Sequence, residues 1–231
     1  MSKLALLKNL INLFLPNVCS VCGIELLEKE SGVCLNCICR IPKTYNFKNE
    51  NNTAELLMAG RIPFERIATF SYYTKGGVLR PIIHNLKYHN GKDIGFLLGK
   101  MFGEDLLSST FLESIDVIIP VPLHPKKQRL RGYNQAEIIA NGISEATNIP
   151  VDTNNLIRVV YNPTQTRRSK TARWENVSDI FNINNAFFFK DKHILLVDDV
   201  ITTGSTIEAC GVALQKCNNI KISVATIGEV L

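Results

Sequence analysis

Four cysteines near the start of the chain form two close pairs. Two residues separate Cys19 from Cys22, two separate Cys34 from Cys37, and eleven residues lie between the pairs. Two such C-x2-C pairs can bring four thiolates to the corners of a tetrahedron around Zn2+. Four thiolate ligands leave no open position for a substrate, so this spacing predicts a structural zinc site.

Other uses of these thiols stay open at the level of sequence. Disulfides need an oxidising compartment, and residues 1–16 lack the unbroken apolar stretch and the cleavage site of a secretory signal peptide. Redox-active pairs are a further alternative, although two pairs so close together favour a metal. Cys39 lies two residues after Cys37 and could replace it as the fourth ligand.

A second group of chemically capable residues follows an apolar run in the C-terminal part of the chain. Asp198 and Asp199 come directly after the apolar residues 194–197. A loop of small and hydroxyl-bearing residues follows: Thr202, Thr203, Gly204, Ser205 and Thr206. The backbone N–H groups of such a loop, at the start of a helix, can bind a phosphate. The two carboxylates would repel that phosphate unless they bind another part of the same ligand, such as sugar hydroxyls or a divalent cation.

Two better known phosphate motifs do not fit. The nearest approach to a Walker A loop, at residues 95–101, has the wrong spacing and ends in Met101, and the chain contains no G-x-G-x-x-G. The plainest structural alternative for residues 198–206 is a capped helix after a strand, with Ser205 as the N-cap. A cap explains neither the acid pair nor the run of hydroxyls.

Positive charge is concentrated in two short runs. The chain has 26 Lys and Arg against 21 Asp and Glu, a net charge of +5. Eight of the basic residues form two runs that contain no acid: Lys126, Lys127, Arg129 and Arg131, then Arg167, Arg168, Lys170 and Arg173. This local excess favours binding of a polyanion at these runs over a general nucleic-acid coat. Two solvated loops are the alternative.

The elements that must position these residues alternate between strand and helix. Strands are predicted at residues 67–73, 116–120, 193–197 and 222–227, with a further short one at 156–160. Helices are predicted at residues 78–88, 94–107, 134–147 and 205–215. Short apolar strands that alternate with helices predict an α/β fold, with a parallel sheet flanked by helices on both faces. Ligands of such folds bind at the carboxyl ends of strands, where residues 198–206 lie.

Three regions are expected along the chain. Residues 1–45 combine an amphipathic helix, with apolar residues at positions 4, 7, 11 and 14, with the small four-cysteine zinc-finger module. Residues 46–65 are expected to be a linker, and residues 66–231 the α/β domain. No membrane-spanning stretch is predicted, so we expect a cytoplasmic protein.

The motifs described so far resemble a known family. Residues 194–206 are similar to the 5-phosphoribosyl-1-pyrophosphate (PRPP) signature of type I phosphoribosyltransferases. Further motifs occur in the order found in ComF-family competence proteins: residues 86–88, 120–126, 131–135, 165–167 and 173–176. Those proteins carry a four-cysteine finger before a phosphoribosyltransferase-like domain. The resemblance therefore covers nearly the whole chain.

The resemblance implies a role for each group of residues. Asp198 and Asp199 would act at the ribose hydroxyls of PRPP, and Thr202–Thr206 would hold its 5-phosphate. The pyrophosphate, with Mg2+ between, would face a turn after the strand that ends at Pro120, formed by Val121, Pro122, Leu123 and His124. Pyrophosphate or DNA would contact the basic residues Lys126, Lys127, Arg129, Arg131, Arg167, Arg168 and Arg173.

Three functions are compatible with this resemblance. The first is a phosphoribosyltransferase that joins PRPP to a nitrogenous base. The second is a non-catalytic accessory protein of DNA uptake in natural transformation, which binds single-stranded DNA beside a competence helicase and other DNA-processing proteins. The third is a regulator that senses PRPP or a ribose 5-phosphate relative.

Overall fold

The computed structural model describes residues 17–28, 30–161 and 180–230. The helix expected within residues 1–16 therefore lies outside the described residues. The helices are α1 Leu35–Cys39, α2 Thr53–Met58, α3 Leu79–Tyr88, α4 Lys92–Leu107, α5 Pro125–Arg131, α6 Gln135–Thr147, α7 Ala186–Phe189 and α8 Ser205–Leu214. The strands are β1 Ile67–Tyr72, β2 Val117–Pro120, β3 Leu156–Arg158, β4 Phe181–Ile183, β5 His193–Ile201 and β6 Lys221–Glu229. Short 3-10 helices span Asn46–Lys48 and Thr110–Leu112.

Four strands form one parallel sheet in the order β1-β6-β5-β2. In the register of the sheet, Pro120 at the end of β2 lies beside Val197, and Asp198 lies beside Thr226 of β6. The carboxyl ends of all four strands therefore meet at one edge. A separate antiparallel pair, β3 and β4, lies outside this sheet.

Helices cover both faces of the sheet, as the sequence pattern predicts. Alternate residues of β5 enter different apolar clusters, with Leu195 and Val197 on one face and Ile194 and Leu196 on the other. The first face packs against α3, α4 and α6, and the second against α2 and α8. Burial on both faces explains why β2 and residues 194–197 of β5 are continuous apolar runs.

The four-cysteine module belongs to the first of these clusters. Cys19, Val33 and Cys37 are buried in the same apolar group as the core residues of α3 and α4. The chain then pairs with the edge of β1, where the Thr44 N–H donates to the Phe70 carbonyl at 3.0 Å. Within the described residues, no helix is long and apolar enough to cross a membrane.

Residues 46–65 differ from the polar linker that we expected. They contain a 3-10 helix and α2, whose N-cap Asn52 and Glu55 form a reciprocal capping box. Phe47 and Met58 are buried in the apolar core. Each of these two short helices buries only two residues. So few buried positions give no helical periodicity in the sequence, and the helices could not be predicted from it.

Candidate functional site

The four cysteines predicted to bind zinc converge in the structure. The thiol sulfurs of Cys19, Cys22, Cys34 and Cys37 all lie within 4.8 Å of one another, and those of Cys22 and Cys34 are 3.7 Å apart. Four sulfurs at about 2.3 Å from a tetrahedral Zn2+ are about 3.8 Å apart, so the group fits this ion. Cys39 is exposed and lies outside the group, which leaves Cys37 as the fourth thiol.

The electrostatics of this group favour a metal cation. Burial raises the pKa of Cys19, but hydrogen bonds from the backbone N–H groups of Cys34, Cys22 and Val21 outweigh it and lower the pKa to about 6. Burial and the neighbouring thiols raise the pKa of Cys37. Thiolates this close repel one another, and a bound cation removes that repulsion.

Asp198 and Asp199 lie within β5 and not after it, because the strand continues to Ile201. The Asp199 side chain is buried, and its carboxylate contacts Lys87 of α3, with the two oxygens 2.9 and 3.1 Å from Nζ. One carboxylate oxygen of Asp198 accepts the Asp199 N–H at 2.8 Å. The acid pair thus projects from the carboxyl end of a central strand with one member already paired to a cation.

Asp198 holds its proton to a higher pH than an ordinary aspartate does. Burial and the negative charge of Asp199 raise the pKa of Asp198 to about 7, although Lys87 and Arg158 act in the opposite direction. Two neighbouring carboxylates do not ionise independently at one site. Near neutral pH Asp198 can therefore both accept and donate a hydrogen bond.

The predicted phosphate loop connects β5 to α8. Thr202, Thr203, Ser205 and Thr206 are exposed, and the hydroxyls of Thr203 and Ser205 are 3.0 Å apart. The N-cap of α8 is Gly204 and not Ser205, the N-cap that the sequence suggested. The first N–H groups of a helix have no partner within it, so this loop offers donors to an anion.

Gly204 is the residue on which the loop depends. It is buried and has a φ of +74°, in the left-handed region that residues with a side chain rarely adopt. A Cβ at this position would also be 2.1 Å from the Sδ atom of Met58. Both the backbone conformation and the space around it therefore require glycine.

The turn after β2 lies beside the acid pair. The Val121 N–H donates to the Val197 carbonyl at 2.8 Å, and the Val121 carbonyl accepts from Asn134, the N-cap of α6, at 3.0 Å. Pro122 and Leu123 complete the turn, and His124 Nδ1 accepts the Lys126 N–H at 3.2 Å as the N-cap of α5. The turn that was predicted to face pyrophosphate is thus held at the same sheet edge as Asp198.

The first basic run forms α5, and none of its residues is buried. Partial burial and the positive charges of Arg158, Arg131 and Lys87 lower the pKa of Lys127. Arg131 also donates to Gln135 at 2.6 Å, so it is tied to the start of α6. Arg167, Arg168 and Arg173 of the second run lie outside the described residues.

Sequence reasoning assigned no site role to three basic residues that the structure brings to this edge. Lys87 pairs with Asp199, and Arg158 at the end of β3 is close enough to Asp198 to affect its pKa. Arg61 donates to the Thr203 carbonyl in the phosphate loop at 2.6 Å. Lys87 belongs to a motif of the resemblance, whereas nothing local marks Arg158 or Arg61.

Comparisons with known proteins agree with this architecture. Residues 131–229 match the family of phosphoribosyl transferase domains. The chain is 27% identical to the DNA utilization protein YhgH of Shigella flexneri over 215 residues, covering 84% of this chain and 89% of the relative. It is 38% identical over 112 residues to Competence protein F of Haemophilus influenzae, covering 47% and 48% of the two chains. It is 26% identical to Competence protein ComFC of Bacillus subtilis, covering 68% and 62%.

Solved structures resemble the chain more distantly. The adenine phosphoribosyltransferase of Leishmania tarentolae is 9% identical, with a TM-score of 0.39 over 78% of this chain and 89% of that protein. The sheet, the domain match and the sequence relatives carry the assignment instead. With a four-cysteine cluster before a region that matches phosphoribosyl transferase domains, and with relatives named for competence and DNA utilization, the chain is similar to the ComF family of phosphoribosyltransferase-like proteins.

Proposed function

We propose that the chain binds PRPP and acts as a phosphoribosyltransferase on a nitrogenous base. The observation that carries this proposal is the acid pair of β5 followed by the Gly204 loop at the start of α8. Carboxylates accept hydrogen bonds from hydroxyls, and the loop offers N–H donors to a phosphate. A ribose that carries a 5-phosphate has its hydroxyls and its phosphate a few ångströms apart, so one ligand can bind to the acid pair and to the loop.

The cations near the acid pair suit the remaining part of PRPP. Three basic residues lie close enough to act on the pKa of a fourth, Lys127, or of Asp198. The positive charges of Arg158, Arg131 and Lys87 lower the pKa of Lys127, and those of Lys87 and Arg158 oppose the rise in the pKa of Asp198. Four positive charges against the two carboxylates leave a local excess that a pyrophosphate can neutralise. In the proposed reaction the bond from the anomeric carbon to pyrophosphate breaks as the bond to the base nitrogen forms, and these cations stabilise the charge that develops on the leaving oxygens.

Mg2+ fits this site by the chemistry of its donors. Mg2+ prefers oxygen ligands and is commonly bound through one or two carboxylates together with substrate phosphates. Lys87 contacts both oxygens of Asp199, whereas Asp198 has no ion pair among the described residues, so Asp198 is the carboxylate left to bind a hydrated ion. When bound with PRPP, Mg2+ would reduce the negative charge of the pyrophosphate.

Titration calorimetry with PRPP and Mg2+ tests the binding site. Asp198 and Asp199 should be changed together to Asn, which keeps their shape, and we expect a loss of roughly tenfold or more in affinity because charged acceptors form the stronger hydrogen bonds. Gly204→Val should abolish binding because the side chain would displace the loop. Lys216→Met, an exposed change beyond the other end of α8, serves as the control. Equal affinity in the wild type and the double Asn variant would place the site elsewhere.

Catalysis requires a second measurement. Pyrophosphate release should be followed with PRPP, Mg2+ and each nucleobase in turn. Release that depends on one base supports the transferase. Binding of PRPP without release under any condition would instead support the PRPP-sensing regulator.

Binding of single-stranded DNA is a second candidate function, and α5 favours it. Lys126, Lys127 and Arg129 lie on this helix, no residue of which is buried. The relatives named for DNA utilization and competence agree with such a role. A competence helicase and other DNA-processing proteins would then be the partners of the chain.

A further inference from the structure

Residues 58–64 lie along the first turns of α8, although they precede the sheet in the sequence. Met58 fills the space beside Gly204. Ile62 packs on Gly211, where an added Cβ would be 1.7 Å from the Ile62 Cδ1 atom. Packing at both ends of this short segment therefore fixes the backbone of Arg61 near the start of α8.

A buried carboxylate ties α2, the helix that leads into this segment, to the edge of the sheet. Glu229, the last residue of β6, accepts hydrogen bonds from the hydroxyls of Thr53 at 2.9 Å and Thr69 at 3.0 Å. Asn52, the N-cap of α2, donates to the Ile67 carbonyl at 2.8 Å. The position of α2, and of the arginine that follows it, is thus set by the ends of β1 and β6.

The guanidinium of Arg61 lies directly at the phosphate loop. Its Nη1 donates to the Thr203 carbonyl at 2.6 Å and contacts Glu208 at 3.2 Å. A Cβ at Gly204 would be 3.4 Å from the same nitrogen. The side chain keeps 30% of its surface exposed, and its described hydrogen bonds use Nη1, which leaves donors on Nε and Nη2 for a ligand.

The charges around the loop leave a phosphate in need of a cation. Asp198, Asp199 and Glu208 are all acidic, and Thr202–Thr206 contains no Lys or Arg. A phosphate monoester carries a charge of about −1.5 to −2 at neutral pH. Among the described residues, Arg61 is the only Lys or Arg that donates a hydrogen bond to this loop. We propose that Arg61, from outside the matched transferase domain, is a direct ligand of the 5-phosphate.

This inference rests on the proposed binding of PRPP, and it has its own test. Calorimetry with ribose 5-phosphate compares the wild type with Arg61→Met, Arg61→Gln and Arg61→Lys. We expect the Met and Gln variants to lose affinity about tenfold or more, and the Lys variant to retain part of it, because the positive charge binds the phosphate. The affinity of the Met variant should also depend less on salt than that of the wild type.

The Gln and Lys variants together separate a phosphate ligand from a structural role. The glutamine amide ends two bonds short of the arginine Nη1 that donates to the Thr203 carbonyl, so the Gln and Met variants both lose this contact and the charge, whereas the Lys variant keeps the charge. A Lys variant that binds no better than the Met variant would show that Arg61 only supports the loop and would overturn the inference, as would affinity of the Gln variant within twofold of the wild type. Unchanged affinity in the Met variant would overturn it as well. If any of these results appears while Gly204→Val abolishes PRPP binding, the proposed function stands without Arg61. If the wild type binds neither ligand, both proposals fail.

Discussion

At the scale of single residues, the candidate site combines groups whose charges oppose one another. Asp199 is neutralised by Lys87, whereas Asp198 faces burial and a neighbouring carboxylate. Its pKa of about 7 means that, between about pH 4 and about pH 7, Asp198 keeps a proton in the folded protein that it releases in the unfolded chain. A binding site built in this way has a cost in stability before any ligand arrives.

That cost predicts a pH dependence of stability. Because the folded pKa of Asp198 lies above its ordinary value of 3.8, the free energy of unfolding falls as the pH rises from about 4 to about 7, and this contribution levels off above that. Asp198→Asn should therefore make the ligand-free protein more stable at pH 8, by about 1–2 kcal/mol after allowance for solvent screening. The gain should shrink at pH 5.

Urea unfolding of both proteins at the two pH values measures this difference. The exposed change Glu113→Gln is the control and should show no such pH dependence. If the Asp198→Asn variant is less stable than the wild type at pH 8, burial and the charge of Asp199 do not destabilise the ionised Asp198, and the prediction is wrong.

At the scale of elements, the turn and loop at the sheet edge each lead directly into a helix. The loop after β5 opens α8, and the turn after β2 opens α5. α8 is largely buried and anchored to the sheet, whereas α5 has no buried residue. Its exposure suits contact with an extended polyanion better than a structural role.

The exposure of α5 leads to a prediction about single-stranded DNA. Affinity for a single-stranded oligonucleotide should fall steeply with salt, since each phosphate contact adds about 0.7 to the slope of the logarithmic plot. Arg129→Glu should lower that slope by roughly 0.7 or more, because its side chain has no described partner and only its charge is changed. Fluorescence anisotropy over a salt series measures the slope.

Lys216→Glu is the matched control for this charge reversal. It reverses the charge of an exposed lysine outside α5, just after the C-terminal end of α8. The same slope in the Arg129 variant and the wild type would exclude α5 as the DNA contact. Arg131 is left unchanged because its bond to Gln135 also supports α6.

At the scale of the whole molecule, the cysteine module and the α/β domain share one apolar cluster. Cys19, Cys34 and Cys37 are buried together with core residues of α3 and α4. Such a small module has too little apolar surface for a core of its own, so a metal bound to its four cysteines and the contact with the domain would stabilise it together. Removal of the metal should then lower the thermal stability of the domain as well.

Cys22→Ser tests this coupling. The variant should lose its zinc and unfold at a lower temperature than the wild type, because it removes a ligand of the cluster. Cys39→Ser, at an exposed thiol outside the cluster, should keep one zinc per chain and the wild-type stability. Metal analysis and thermal unfolding by circular dichroism are the two measurements.

Wild-type protein purified without chelator that contains no zinc would contradict the metal assignment. Zinc loss in the Cys22 variant with unchanged thermal stability would contradict the coupling through the shared core.

Features that depend on neighbouring residues could be predicted from the amino-acid sequence alone. The two C-x2-C pairs, the acid pair before its hydroxyl loop and the alternation of strands with helices are all local patterns, and the structure contains each of them. Local pattern was less reliable at element ends. β5 continues through Asp198 and Asp199 because pairing with β6 as far as Glu229 extends it beyond the apolar run.

The distant residues that complete the site could be identified only from the folded chain. Lys87 and Asp199 are 112 positions apart, and Arg61 and Thr203 are 142 apart. Their contacts depend on the strand order β1-β6-β5-β2, which places elements from early in the chain beside β5 and α8. No periodicity or spacing encodes such a contact, because it arises only when the apolar faces of the sheet are buried and bring those elements together.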